Sequence, residues 1–91
     1  MKLSNYYFTF GTSPGYPFYG GWVQVEAESL NQAIEIFRRH FPDRIEGVLN
    51  CADFYTYAQF YRTEMAETGN LGARCHLKLG KDGIMEKGEQ A

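Results

Sequence analysis

Two cysteines, two histidines, three prolines and one tryptophan are all that this chain of 91 residues holds of those types. Two cysteines are too few for the disulfide framework that staples small secreted domains. The opening stretch MKLSNYYFTF has no uninterrupted apolar run and no small-residue cleavage site, so it does not read as a signal peptide. No run is long and apolar enough to cross a membrane. A reducing cytoplasm is therefore the expected setting, with Cys51 and Cys75 as free thiols or metal ligands. Basic charge is also scarce: nine Lys and Arg against eleven Asp and Glu leave a net charge of −2. That argues against general binding to a nucleic-acid backbone, which needs a clustered basic surface. The glycine spacing fits neither a phosphate loop nor a dinucleotide fingerprint, and no paired carboxylates stand out. The expectation is a protein that is not an enzyme.

Aromatic rings are plentiful, at 16% of residues within a hydrophobic content of 44%. One domain of this size is near the lower limit for an unaided core, and rings bury much area per residue. Residues 5–10 alternate aromatic and polar-capable side chains and read as a strand. WVQVEA forms a second, half-buried strand, with Val23, Val25 and Ala27 on one face and Trp22, Gln24 and Glu26 on the other. A helix follows. Ser29 is its N-cap, Gln32 completes a capping box, and Leu30, Ala33, Ile34, Phe37 and Phe41 make the apolar face before Pro42 ends it. GVLNCADFY reads as a third, central strand. Thr56 and Gln59 open a second helix with Tyr57, Phe60, Tyr61 and Met65 as its buried stripe and Gly69 as its cap. ARCHLKL is a fourth strand, with Cys75, Leu77 and Leu79 on one side. The order ββαβαβ predicts an α+β domain over residues 1–79, with a small, mainly antiparallel sheet and both helices on one face. A right-handed crossover joins the second strand to the third. Residues 80–91 read as a polar, fraying tail in which KDG can turn a weak hairpin.

Two groups of residues attract functional readings. The loop FGTSPGYPFYGGW concentrates Gly11, Gly15, Gly20 and Gly21 with Tyr16, Phe18, Tyr19 and Trp22. It is either an ordered lid whose rings close one end of the core or a surface on which aromatic anchors hold something. His40, Cys51, Cys75 and His76 have the composition of a Cys₂His₂ zinc site, with Asp43 or Asp53 as a replacement ligand. The simpler reading is a small buried Cys51 and surface histidines. Cys51 with a histidine and Asn50 or Asp53 also has the residue types of a thiol hydrolase, yet nothing nearby lowers the thiol pKa. Asn50, in an apolar stretch, needs partners for its amide if buried. It serves either to tie down the opening loop or to read a polar ligand.

Three stretches taken together, FTFGTSPGYPFYGGWVQVEA, AIEIFRRHFPDR and LNCADFYT, resemble small proteins encoded by phages and prophages of Gram-positive bacteria, over roughly residues 6–76. The profile is also similar to some type II-A anti-CRISPR proteins. That resemblance implies a cytoplasmic inhibitor of a host defence nuclease such as Cas9, acting by binding and occlusion. Its surface would comprise Glu28, Glu35, Glu64 and Glu67 with Tyr16, Phe18, Tyr19 and Trp22. The alternative is a small-ligand or nucleotide-binding protein with a pocket of Tyr16, Phe18, Trp22, Arg44 and Asn50. Rings lining a concavity favour the ligand; rings on a flat or convex surface favour a protein partner.

Overall fold

The structure is a computed structural model that describes residues 2–68 and 71–88. Five strands form one sheet in the order β3-β1-β2-β4-β5: β1 Ser4–Thr9, β2 Trp22–Ala27, β3 Asp53–Thr56, β4 Cys75–Gly80 and β5 Gly83–Lys87. All pairings are antiparallel except β2 with β4, which is parallel. The fold is α+β and the sheet mainly antiparallel, as the element order implied. Among the described residues no helix is long and apolar enough to cross a membrane.

The helix α1, Leu30–His40, starts where the sequence placed it. Gln32 donates its backbone N–H to Ser29 Oγ at 3.1 Å, but its side-chain Oε1 accepts the Glu28 N–H at 2.7 Å rather than that of Ser29, so the expected capping box closes one residue early. The C-cap Phe41 has φ −133° and ψ 81°, outside the helical region, as a residue before proline prefers. Its core face is wider than expected and includes Ile36 with Ala33 and Phe37. Phe37 stacks on Phe8 of β1 at 4.4 Å. Phe10, Val23, Val25, Ala27 and Leu79 complete this buried cluster. Each buried ring there removes roughly 150–250 Å² from water, which is how so short a chain sustains a core.

The second helix corrects the sequence reading in both length and position. Its capping box forms as expected, with Thr56 Oγ1 accepting the Gln59 N–H and Gln59 Oε1 accepting the Thr56 N–H. Yet α2 is a single turn, Tyr57–Phe60, followed by a 3₁₀ turn over Glu64–Thr68; Gly69 lies outside the described residues. Phe60 alone is buried, stacked on Tyr7 at 4.0 Å and edge-on to Trp22 at 5.1 Å. Tyr7 and Phe8 are consecutive in a strand, so they face opposite ways. The helices therefore cover opposite faces, not one.

Chain direction explains this. Strands β2, β3 and β4 run the same way, because β1 is antiparallel to both β2 and β3 and β4 is parallel to β2. The β2-α1-β3 crossover moves one way across β1, and β3-α2-β4 moves back over β1 and β2. Two crossovers of the same hand that move in opposite directions must pass over opposite faces.

Three further expectations change. The third strand covers only Asp53–Thr56 and lies at an edge rather than the centre. The preceding Ile45–Val48 is a turn closed by the Val48 N–H to the Ile45 carbonyl at 2.9 Å, with Gly47 at φ +81°, which suits glycine. Cys75 does not share a side with Leu77 and Leu79. A bulge where Trp22 pairs with Cys75 but Val23 pairs with Leu77 turns it to the Tyr7–Phe60 side. The tail expected to fray from residue 80 instead forms the hairpin that KDG allowed, its Lys81-Asp82 turn bringing Gly83–Lys87 back along β4 as a fifth strand.

Candidate functional site

The opening loop is anchored at three points. Phe10 donates its N–H to the Gly21 carbonyl at 3.0 Å, Gly20 donates to Gly11 at 2.6 Å, and Arg74 Nη1 donates to the Gly20 carbonyl at 2.9 Å. Phe18 turns inward. Its ring meets Phe10 and Phe41 edge-on and stacks on the His76 imidazole at 4.2 Å and 7°. Burial first, and the Arg74 cation second, lower the His76 pKa from its ordinary value. Gly21 is buried against that imidazole, and a β-carbon there would collide with the ring and with the Arg74 carbonyl. The loop is thus a lid on the core. Of its rings only Tyr19, 70% exposed, stands in solvent.

Trp22 does not belong to the lid's outer surface. It is 2% exposed and lies in the cluster of Tyr7, Phe60 and Cys75 on the other sheet face. Its indole N–H is buried without a hydrogen-bond partner among the described residues, a condition that costs about 1–3 kcal/mol. The expected ligand pocket is accordingly split. Tyr16, Arg44 and Asn50 line a cleft of about 160 Å³ with Ile45, Val48 and Leu49. Phe18 is packed beneath the loop, and Trp22 lines a separate cleft. Asn50 Nδ2 donates to the Pro42 carbonyl at 3.4 Å, so its amide holds the chain after α1. At 160 Å³ the cleft is below the roughly 300–1,000 Å³ usual for ligand pockets.

The four soft-ligand residues are not brought together. Cys51 belongs to the α1-side cluster and Cys75 to the α2-side cluster, so the sheet separates them. His40 is at the end of α1, while His76 is committed to its stack on Phe18. Among the described residues no group of three or more His, Cys, Asp or Glu side chains is placed to hold a metal ion, and neither Asp43 nor Asp53 completes one. Both cysteines are free thiols. Burial, with Asp53 and Asp43 adding to it, pushes the Cys51 thiol up to about 11, the wrong direction for a nucleophile. Burial also raises Cys75.

The exposed chemistry gathers around α2. Tyr57 and Tyr61, expected to be core, are 53% and 55% exposed, with ring centroids 4.5 Å apart. Tyr61, Arg62, Glu64 and Glu67 line one shallow depression of about 340 Å³. The Tyr61 ring packs edge-on against Tyr7 at 6.2 Å, which steadies it. Glu28 and Glu35 are exposed elsewhere: Glu28 beside the β4–β5 turn, Glu35 on the outer side of α1. Helix spacing did not reveal this tyrosine pair, because a stripe at i and i+4 marks a buried face only if the helix continues. Arg74 was missed as well. No local pattern in the sequence distinguishes a cation that closes a loop 54 residues away.

The chain matches no protein-family model, no curated protein and no solved structure.

Proposed function

We propose that the protein is a non-catalytic binding module whose α2 face docks on a basic protein surface and occludes it. The exposed Tyr57–Tyr61 ring pair, in contact at 4.5 Å with Tyr61 lining one depression with Glu64 and Glu67, carries this reading. Tyrosine rings supply large contact area at low entropy cost and receive Arg or Lys side chains on their faces. The carboxylates add charge complementarity, which speeds encounter. Tyr19, Glu28 and Glu35 lie outside this patch; Trp22 and Phe18 act from within as scaffold. The resemblance to phage inhibitors of host defence makes the basic nucleic-acid channel of a Cas9-type nuclease the first partner to test, in the cytoplasm of an infected bacterium. Two free thiols fit that reducing setting.

The test is biolayer interferometry of the chain against type II-A Cas9 proteins and against an unrelated acidic protein, at several salt concentrations. The expected result is binding to the basic partner that weakens with salt. Double substitution of Tyr57 and Tyr61 by Ala should weaken it at least tenfold, with unfolding midpoint little changed. Binding that survives the double substitution would refute the α2 face as the docking surface. Absence of binding to any Cas9 would refute the nuclease assignment.

A further inference from the structure

A cleft of about 520 Å³ opens where the base of the lid, the start of β3 and the 3₁₀ turn meet. Three kinds of chemistry face each other there. Trp22, Tyr55 and Met65 form apolar walls, Arg74 brings a guanidinium, and Asp53 brings a carboxylate. The indole N–H of Trp22 is unpartnered among the described residues although the residue is 2% exposed. Buried donors are nearly always satisfied, and since this nitrogen is covered by protein atoms, Trp22 offers the cleft its ring rather than its N–H.

The guanidinium is held in place. Arg74 Nη1 donates to the Gly20 carbonyl at 2.9 Å, and the Arg74 carbonyl accepts the Trp22 backbone N–H at 3.0 Å. Gly20, at φ +71°, has no β-carbon to displace it; one built there would sit 2.9 Å from Nη1. A guanidinium has five N–H donors in a fixed fork, so one bond to Gly20 leaves the fork able to take a carboxylate. Asp53 is fixed too, with Oδ1 accepting the Phe54 N–H at 2.8 Å and its own carbonyl accepting the Thr9 hydroxyl at 3.2 Å.

From this juxtaposition we propose that the cleft binds an apolar α-amino acid or a compact α-amino carboxylate of the same kind. Its carboxylate accepts from Arg74, its ammonium pairs with Asp53, and its side chain lies against the rings of Trp22 and Tyr55 and against Met65. Opposite charges lining one cleft select a zwitterion over a simple anion, which Asp53 would repel. Met65 packs on the Trp22 cluster and lines the same cleft, and its flexible thioether chain is the wall that adapts on entry. This site is distinct from the α2 docking face and does not rest on it.

Trp22 is the only tryptophan, so its emission reports on this cleft alone. The full chain is titrated with L-leucine, L-methionine and L-phenylalanine, and then with N-acetyl-L-leucine and L-leucinamide. Saturable change in Trp22 emission and a raised melting temperature are expected with at least one of the three free amino acids, in the micromolar to millimolar range. The acetylated and amidated forms should each bind roughly ten- to a hundredfold more weakly, since each removes one charged contact. Asp53→Asn should reproduce the loss for the free amino acid while strengthening N-acetyl-L-leucine, whose carboxylate Asp53 no longer repels, a pattern that mere loss of stability would not give. No saturable response to any of the three at millimolar concentration overturns the proposal. So does equal affinity for L-leucine and its two blocked forms.

Discussion

Gly21→Ala isolates the joint between the lid and the sheet. Gly21 does not have a positive φ, so alanine pays no conformational penalty there. The cost is steric. The new β-carbon would meet the His76 ring and lie 2.6 Å from the Arg74 carbonyl oxygen. The ring cannot step aside freely because Phe18 is stacked on it at 4.2 Å. The carbonyl cannot move without releasing the Trp22 N–H it accepts at 3.0 Å, at the point where β2 meets β4. Overpacking of this kind costs about 1–3 kcal/mol and a lost backbone hydrogen bond about 1 kcal/mol more, for a total of about 2–4 kcal/mol. In a domain of this size that lowers the melting temperature by about 8–30 °C. Two controls calibrate the result. Gly15→Ala meets only the mobile end of Arg44 at 3.2 Å and should fall within about 0.5 kcal/mol of the parent protein. Gly47→Ala has open space but a φ of +81°, and should cost about 1 kcal/mol from backbone strain alone. Urea unfolding followed by Trp22 emission measures all three. If Gly21→Ala proves no more destabilising than Gly47→Ala, the lid is not packed on His76 as described and the argument fails.

Two other perturbations test the second cluster and the buried thiol. Phe60→Ala removes the buried side chain of α2, stacked at 4.0 Å on Tyr7, and should cost about 3–5 kcal/mol in the same unfolding assay; a loss under 1 kcal/mol would mean α2 is not seated on the sheet. Cys51 has its thiol raised from 9.0 to about 11 by burial and by Asp53 and Asp43, so folding favours its protonated form. Its contribution is therefore complete below pH 9 and is lost as pH climbs toward 11, by up to about 2–3 kcal/mol. Cys51→Ala should flatten that part of the stability–pH curve, and an unchanged slope would show that the thiol is not desolvated.

Much of this architecture is written locally. The Ser29 cap, the apolar periodicity of α1 and the proline after Phe41 are interactions within a few residues of one another, so residue order alone specifies them. The same holds for the Thr56–Gln59 capping box and for the alternation in β2. The misread parts all depend on distant residues. GVLNCADFY contains enough β-branched and aromatic residues for a long strand, yet only Asp53–Thr56 finds a pairing partner in β1; Ile45–Val48 becomes a turn around Gly47. Tyr57 and Tyr61 carry a core-like spacing, but their helix stops after one turn and leaves them outside.

The sequence by itself determined the fold class, the start and end of α1, the positions of β1 and β2 and the existence of an ordered aromatic loop. Each of these follows from local capping, from periodicity, or from rings that must be buried to offset the entropy of ordering the chain. Tertiary structure alone decided on which face each helix lies, because that depends on the direction in which successive crossovers traverse the sheet. It also decided that Cys51 and Cys75 are parted by the sheet, since one bulge opposite Trp22 reverses the alternation that would have put Cys75 beside Leu77. And it brought Arg74, Trp22 and Asp53 to a single cleft. These residues lie 52 positions apart at most in the chain, and nothing local to any of them encodes the others; only the strand order that sets β3, β1, β2 and β4 side by side does.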